Sequence, residues 1–143
     1  MSLTRIYVPL TPSMVRALAD TREIAPAPIP AHAVTQRLER ARPTADEEER
    51  EYAALSEAAE AAGALSAGSV VRRVVVAADV DSTWVDPRRG EGSDVLSTVD
   101  VTEPVPLRLV ASFHVDEVPG QDDEELLWYD VTELPEVVRL AGA

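Results

Sequence analysis

His114 and Asp116 are the residues whose types and spacing most resemble chemistry. They stand two apart in Ser-Phe-His-Val-Asp, inside an apolar, β-branched stretch. Residues two apart on a strand share a face, so an imidazole and a carboxylate would project side by side. Asp79 and Asp81, at the end of Arg-Arg-Val-Val-Val-Ala-Ala-Asp-Val-Asp, share a face by the same rule. If the two strands were neighbours, one histidine and three carboxylates would meet. That set suits a hard divalent cation, or a general base oriented by an acid. The same residues serve equally as satisfied structural polar groups, because an aspartate at a strand end is a common turn or cap residue.

His32 lies among Pro26, Pro28 and Pro30. A loop there could bring the imidazole over a pocket, or use it to bond backbone that proline cannot. Arg88 and Arg89 sit in Asp-Pro-Arg-Arg-Gly, a loop sequence that could grip a phosphate or carboxylate. Arg72 and Arg73 open the valine-rich run on opposite faces. Neither pair is interleaved with aromatics, so the pattern is not that of a nucleic-acid surface. No G-x-S-x-G elbow, glycine-rich phosphate loop or metal-ligand cluster is present. No catalytic residue is therefore assigned, and no metal or cofactor is expected; His114, Asp116, Asp79 and His32 remain candidates. Trp128 and Tyr129, with Leu134 just beyond, form the densest aromatic block in a chain with two Trp, three Tyr and one Phe. It is either a core seal or a binding surface, where aromatics are enriched.

The elements that must position these groups are legible in outline. Leu3–Leu10 reads as a strand. Thr11 caps a helix over 12–22, with Pro12 at its first position. Residues 25–33 read as an extended proline loop. Thr35 caps a short helix to Arg42. Thr44 and Glu47 have capping-box spacing at the start of a long helix whose stripe is Tyr52, Leu55, Ala59, Ala62 and Leu65. Residues 70–80 are an apolar run that reads as a strand buried on both faces. A flexible loop follows over 81–93. Further strands are expected at 95–101, 111–117 and 125–131, with a turn at 106–110 and an acidic turn at 121–125. Thr132 caps a closing helix.

The chain has 143 residues and no cysteine, which excludes disulfides and thiolate metal sites. It carries 26 acids against 13 bases, a net charge of −13. Every base is arginine. That balance argues against nucleic acid phosphates and anionic membranes as partners. A protein partner or a second copy of the chain is the class expected. The first ten residues lack a basic region followed by an apolar stretch, and no run approaches the length of a membrane span. A cytoplasmic location is expected.

Several blocks occur together in a fixed order: Ile-Tyr-Val-Pro-Leu-Thr at 6–11, His-Ala-Val-Thr at 32–35 and Glu-Tyr-Ala-Ala-Leu at 51–55. They continue with the valine-rich run at 72–80, Val-Pro-Leu-Arg-Leu-Val-Ala-Ser-Phe-His-Val-Asp-Glu at 105–117, Glu-Leu-Leu-Trp-Tyr at 125–129 and Glu-Leu-Pro at 133–135. In these the chain resembles a family of small uncharacterised proteins of high-GC Gram-positive bacteria, a domain of unknown function. The resemblance implies one small bacterial domain and carries no activity. The expected fold is a single α+β domain over residues 1–143. Its sheet would be mixed, of four or five strands, with helices mainly on one face. Strands 3–10 and 70–80 would lie parallel, joined by a right-handed crossover. The expected function is a non-catalytic, acidic interaction module. The alternative is a small hydrolase-like or divalent-metal-dependent enzyme built on His114 and nearby carboxylates.

Overall fold

The computed structural model describes residues 1–120 and 125–143. Its frame is one long ladder. β1 (Leu3–Leu10) pairs with β4 (Val74–Asp81) over eight rungs, from Leu3 opposite Asp81 to Leu10 opposite Val74. The pairing is antiparallel, not the parallel pair expected. The reason lies in the proline segment. Ile29–Ala33 is not a loop but a strand, β3, which follows α1 (Pro12–Thr21) and a two-residue strand β2 (Glu23–Ile24). β3 runs antiparallel to β1 and so crosses the sheet once more. α2 (Gln36–Ala41) and α3 (Glu47–Leu65) follow, and α3 carries the chain back to the Leu10 end. β4 therefore starts beside the end of β1.

Pro30 is tolerated in β3 because β1 pairs only with His32 and Ala33, leaving Pro30 bonded on one side alone. Beyond β4 come β5 (Val85–Asp86), β6 (Thr98–Val101), β7 (Val105–Pro106), β8 (Val110–Val115), β9 (Leu127–Asp130) and α4 (Leu134–Ala141). The main sheet has seven strands in the order β5-β6-β3-β1-β4-β8-β9, and β2 pairs with β7 in a separate ladder. The sheet is larger than the four or five strands expected, because β3 and the very short β5 join it. The chain is α+β as expected. Every ladder among the described residues is antiparallel, so the sheet is not mixed. The loop expected at 81–93 contains two 3₁₀ turns and β5. The acidic turn expected at 121–125 falls, but for Glu125, outside the described residues.

Alternation along β1 and β4 fixes the layers. Ile6, Val8, Leu10, Val74 and Val76 face one way, packed with Phe113 of β8, with Val15 and Leu18 of α1, and with Leu134 and Val137 of α4. Tyr7, Val75 and Ala77 face the other way, under Leu38 of α2 and Ala54, Ala58 and Ala62 of α3. Helices thus cover both faces rather than mainly one. Central strands that are apolar at both parities require this, since either bare face would expose valine to water. α3 approaches through alanines, whose small side chains allow close packing. The stripe expected there is partly misplaced: Tyr52 is 54% exposed and Leu65 51%. No helix among the described residues is long and apolar enough to cross a membrane.

Two caps sit two residues from where the sequence places them. α3 starts at Asp46, not Thr44. Asp46 Oδ1 accepts from the Glu49 amide at 2.8 Å, and the Asp46 amide donates to Glu49 Oε1 at 3.3 Å. The pair has the same three-residue spacing as Thr44 and Glu47, so spacing alone could not separate them. Before α4, Asp130 and not Thr132 is the capping residue, with Glu133 closing the box. Asp46→Ala should therefore cost about 1 kcal/mol of stability. Thr44→Ala should stay within about 0.5 kcal/mol. Urea unfolding of the two variants measures the difference; equal losses would return the cap to Thr44.

Candidate functional site

β8 delivers His114 to the face covered in part by α3, opposite Val75 on one side and Trp128 on the other. Ser112, two residues earlier, shares that face, and its Oγ lies 3.1 Å from His114 Nε2. Burial and the nearby Arg5 guanidinium both lower the His114 pKa, favouring the neutral ring. Asp116 takes another partner. It is 1% exposed. Its Oδ2 accepts from the Arg73 amide at 2.7 Å and from Nε at 2.9 Å, while Oδ1 accepts from Nη2 at 2.9 Å. This is a two-pronged, buried ion pair that ties the start of β4 to the end of β8.

Asp79 is likewise committed. Arg5 Nε and Nη2 donate to its two oxygens at 2.7 and 2.8 Å, and this bond lowers its pKa. Asp81 accepts from the amide and hydroxyl of Thr83 and caps a 3₁₀ turn. Register then separates the candidates. Asp116 bonds the backbone of Arg73, so it lies level with that residue. Asp79 is six positions along β4 from there, about 20 Å at the rise of a strand. His114, level with Val75, is about 13 Å from Asp79 along the same axis. The acids and the histidine share a sheet face without converging. Among the described residues, no group of three or more His, Asp or Glu side chains is placed to hold a metal ion.

His32 is on β3, beside Tyr7, and is 7% exposed. Its Nδ1 shares a hydrogen bond of 2.8 Å with Ser97 Oγ. The Ser97 amide in turn donates to Glu57 Oε1 on α3 at 3.2 Å. Burial lowers the His32 pKa, against the pull of Glu57. β1 and β4 stand between the strands of His32 and His114, so those strands lie about 14 Å apart at usual strand spacing, and the two histidines are offset by a further two residues along them. Arg88 is bonded to Asp86, and Arg89 to Asp100.

The aromatic block divides. Leu134 is buried in the main core, and Tyr129 packs against it. Trp128 is 62% exposed on β9, the outermost strand. α3 lies over β3, β1 and β4, while Leu127 beside Trp128 on β9 is 43% exposed. Tyr52, on the near flank of α3, donates its hydroxyl to Glu125 Oε1 at 2.9 Å, just before β9. The edge also offers backbone. The Asp130 amide donates to Glu133 Oε2 at 2.8 Å and so points away from β8. Peptide groups alternate along a strand, so those of Trp128 point the same way, outward. Ser112, Arg5 and Tyr52 escape the reading of the sequence. Ser112 has a signal there, its i,i+2 relation to His114, whereas Arg5 and Tyr52 need the register and the helix position.

Two outcomes follow. Asp116→Asn removes the charge from a buried, two-pronged ion pair and should cost about 3–5 kcal/mol in urea unfolding. The double change Arg73→Met with Asp116→Leu should recover a large part of that loss; no recovery would mean that the pair acts through its backbone bond alone. The histidines give a pH dependence. Both native pKa values lie below the unfolded value, so the unfolded chain binds more protons in mildly acid solution. Stability should therefore be complete above about pH 6.5 and fall as the pH drops below it toward the native values. Melting temperatures at pH 5, 6 and 7 should show this slope, flattened in a His32→Gln, His114→Gln variant. An unchanged slope would place the linkage elsewhere.

No curated protein and no solved structure matches the chain. One family model does match, over residues 4–122, from the first strand past the end of β8. The match covers most of the chain and every residue of the His114, Asp116 and Asp79 set, and the chain belongs to the family of unknown function DUF6912.

Proposed function

We propose that the chain is a non-catalytic, cytoplasmic interaction domain of a high-GC Gram-positive bacterium. Its β9 edge receives an extended, basic segment of a protein partner. The observation that carries this reading is Trp128, 62% exposed on the outermost strand of the sheet. An added strand would bond the outward peptide groups of Trp128 and lay side chains against its indole. Charge supports a basic ligand: the chain is −13 overall, and the sequence entering β9 reads Asp-Asp-Glu-Glu at 122–125. Aromatic side chains at such edges supply most of the binding energy in known interfaces.

The hydrolase-like reading has one observation in its favour, the 3.1 Å contact between Ser112 Oγ and His114 Nε2. The two acids it would call on, Asp116 and Asp79, are held by Arg73 and Arg5.

A calorimetric titration tests the proposal. The probes are a peptide of alternating valine and arginine and its valine–glutamate counterpart. The basic peptide should bind, with affinity falling as salt rises, and Trp128→Ala should weaken it at least about tenfold. Equal binding of the two peptides, binding untouched by Trp128→Ala, or no binding of either would overturn the proposal.

A further inference from the structure

The structure holds a second, unrelated feature, a cavity of about 260 Å³ at the Leu10 end of β1. Its floor is made by Val8, Leu10, Ile24 and Ile29, all buried members of the main core. Its rim carries Met14 and Leu65, 44% and 51% exposed. The cavity opens to solvent between these rim residues, so its apolar floor is reachable from outside. A dry apolar cavity is a ready site for an apolar molecule, and an engineered one of about 150 Å³ already holds benzene. The present cavity therefore suits a single aromatic ring or a short aliphatic chain.

One side chain breaks the apolar lining. Glu23, exposed on β2, is the only charged residue around the cavity among the described residues. Among the described residues its carboxylate makes no ion pair and no hydrogen bond, although most other cavity neighbours are apolar. We infer that this cavity binds a small cationic amphiphile, with its ring or chain on the Val8–Ile29 floor and its ammonium group at Glu23. Ala17 of α1, an exposed residue, also lines the cavity. The site is independent of the β9 edge, since it uses none of the same residues.

The test uses the intact chain and four probes: 2-phenylethylamine, hexylamine, hexan-1-ol and hexanoate. Two-dimensional amide NMR with titration locates and ranks binding. The amines should shift the amides of Val8, Ala17 and Ile24. Hexan-1-ol should bind about two- to fivefold more weakly than hexylamine, the worth of one exposed ion pair, and hexanoate more weakly still. Glu23→Gln, a surface change on β2, should make hexylamine and hexan-1-ol equal. Ala17→Phe, checked for a wild-type melting temperature, should abolish binding of all four. No shift with either amine, shifts confined to another region, or binding unaffected by Ala17→Phe would overturn the site. Hexan-1-ol binding as tightly as hexylamine to the unaltered chain would overturn the cationic assignment.

Discussion

The ladder between Leu3–Leu10 and Val74–Asp81 constrains everything around it. Its eight rungs bring together two strands that are apolar at both parities over most of their length. Neither face can be left to water, so the chain must supply a helical layer on each side. α1 and α4 take one face and α2 with α3 the other. Sheet extensions to either side then need only half the cover, and they grow more polar toward the edges. His32, Ser112, His114 and Trp128 all lie on these flanking strands. The polarity gradient across the sheet, and not a pocket, is what places them.

Within that frame three carboxylates at the sheet are each held by an arginine. Asp116 is bound by Arg73, Asp79 by Arg5 and Asp100 by Arg89. A carboxylate in a charge-assisted, two-pronged bond is a poor base and a poor metal ligand, because reaction would first have to break the pair. This is the physical argument for reading the strand-end acids as fasteners. The acids left over project outward and give the molecule its negative exterior.

Much of this was legible in residue types. The valine-rich run announces a strand buried on both sides, and the structure places it at the centre of the sheet. Thr11 and Thr35 cap the helices where the sequence puts them. The failures share a cause: they depend on partners distant in sequence. Pro26, Pro28 and Pro30 argue against a strand only if both edges must be bonded, and β3 is bonded by β1 over just its last two residues. Missing that strand reverses the sense of β4 and invents a parallel crossover. It also misplaces His32. The convergence of His114 with Asp79 failed for a related reason. Shared faces can be read from alternation, but the displacement along the strands requires register, and that was invisible until the strands were paired.

The central ladder has a consequence for the birth of the molecule. Leu3 and its partner Asp81 are separated by more than half of the chain. During synthesis β1 can meet β3 early, but only over two rungs, and at usual elongation rates it waits on the order of ten seconds for β4. Closing so long a loop is entropically slow, and contacts this remote lengthen folding times. Until then β1 is partnered along only part of one edge and must be kept from strangers.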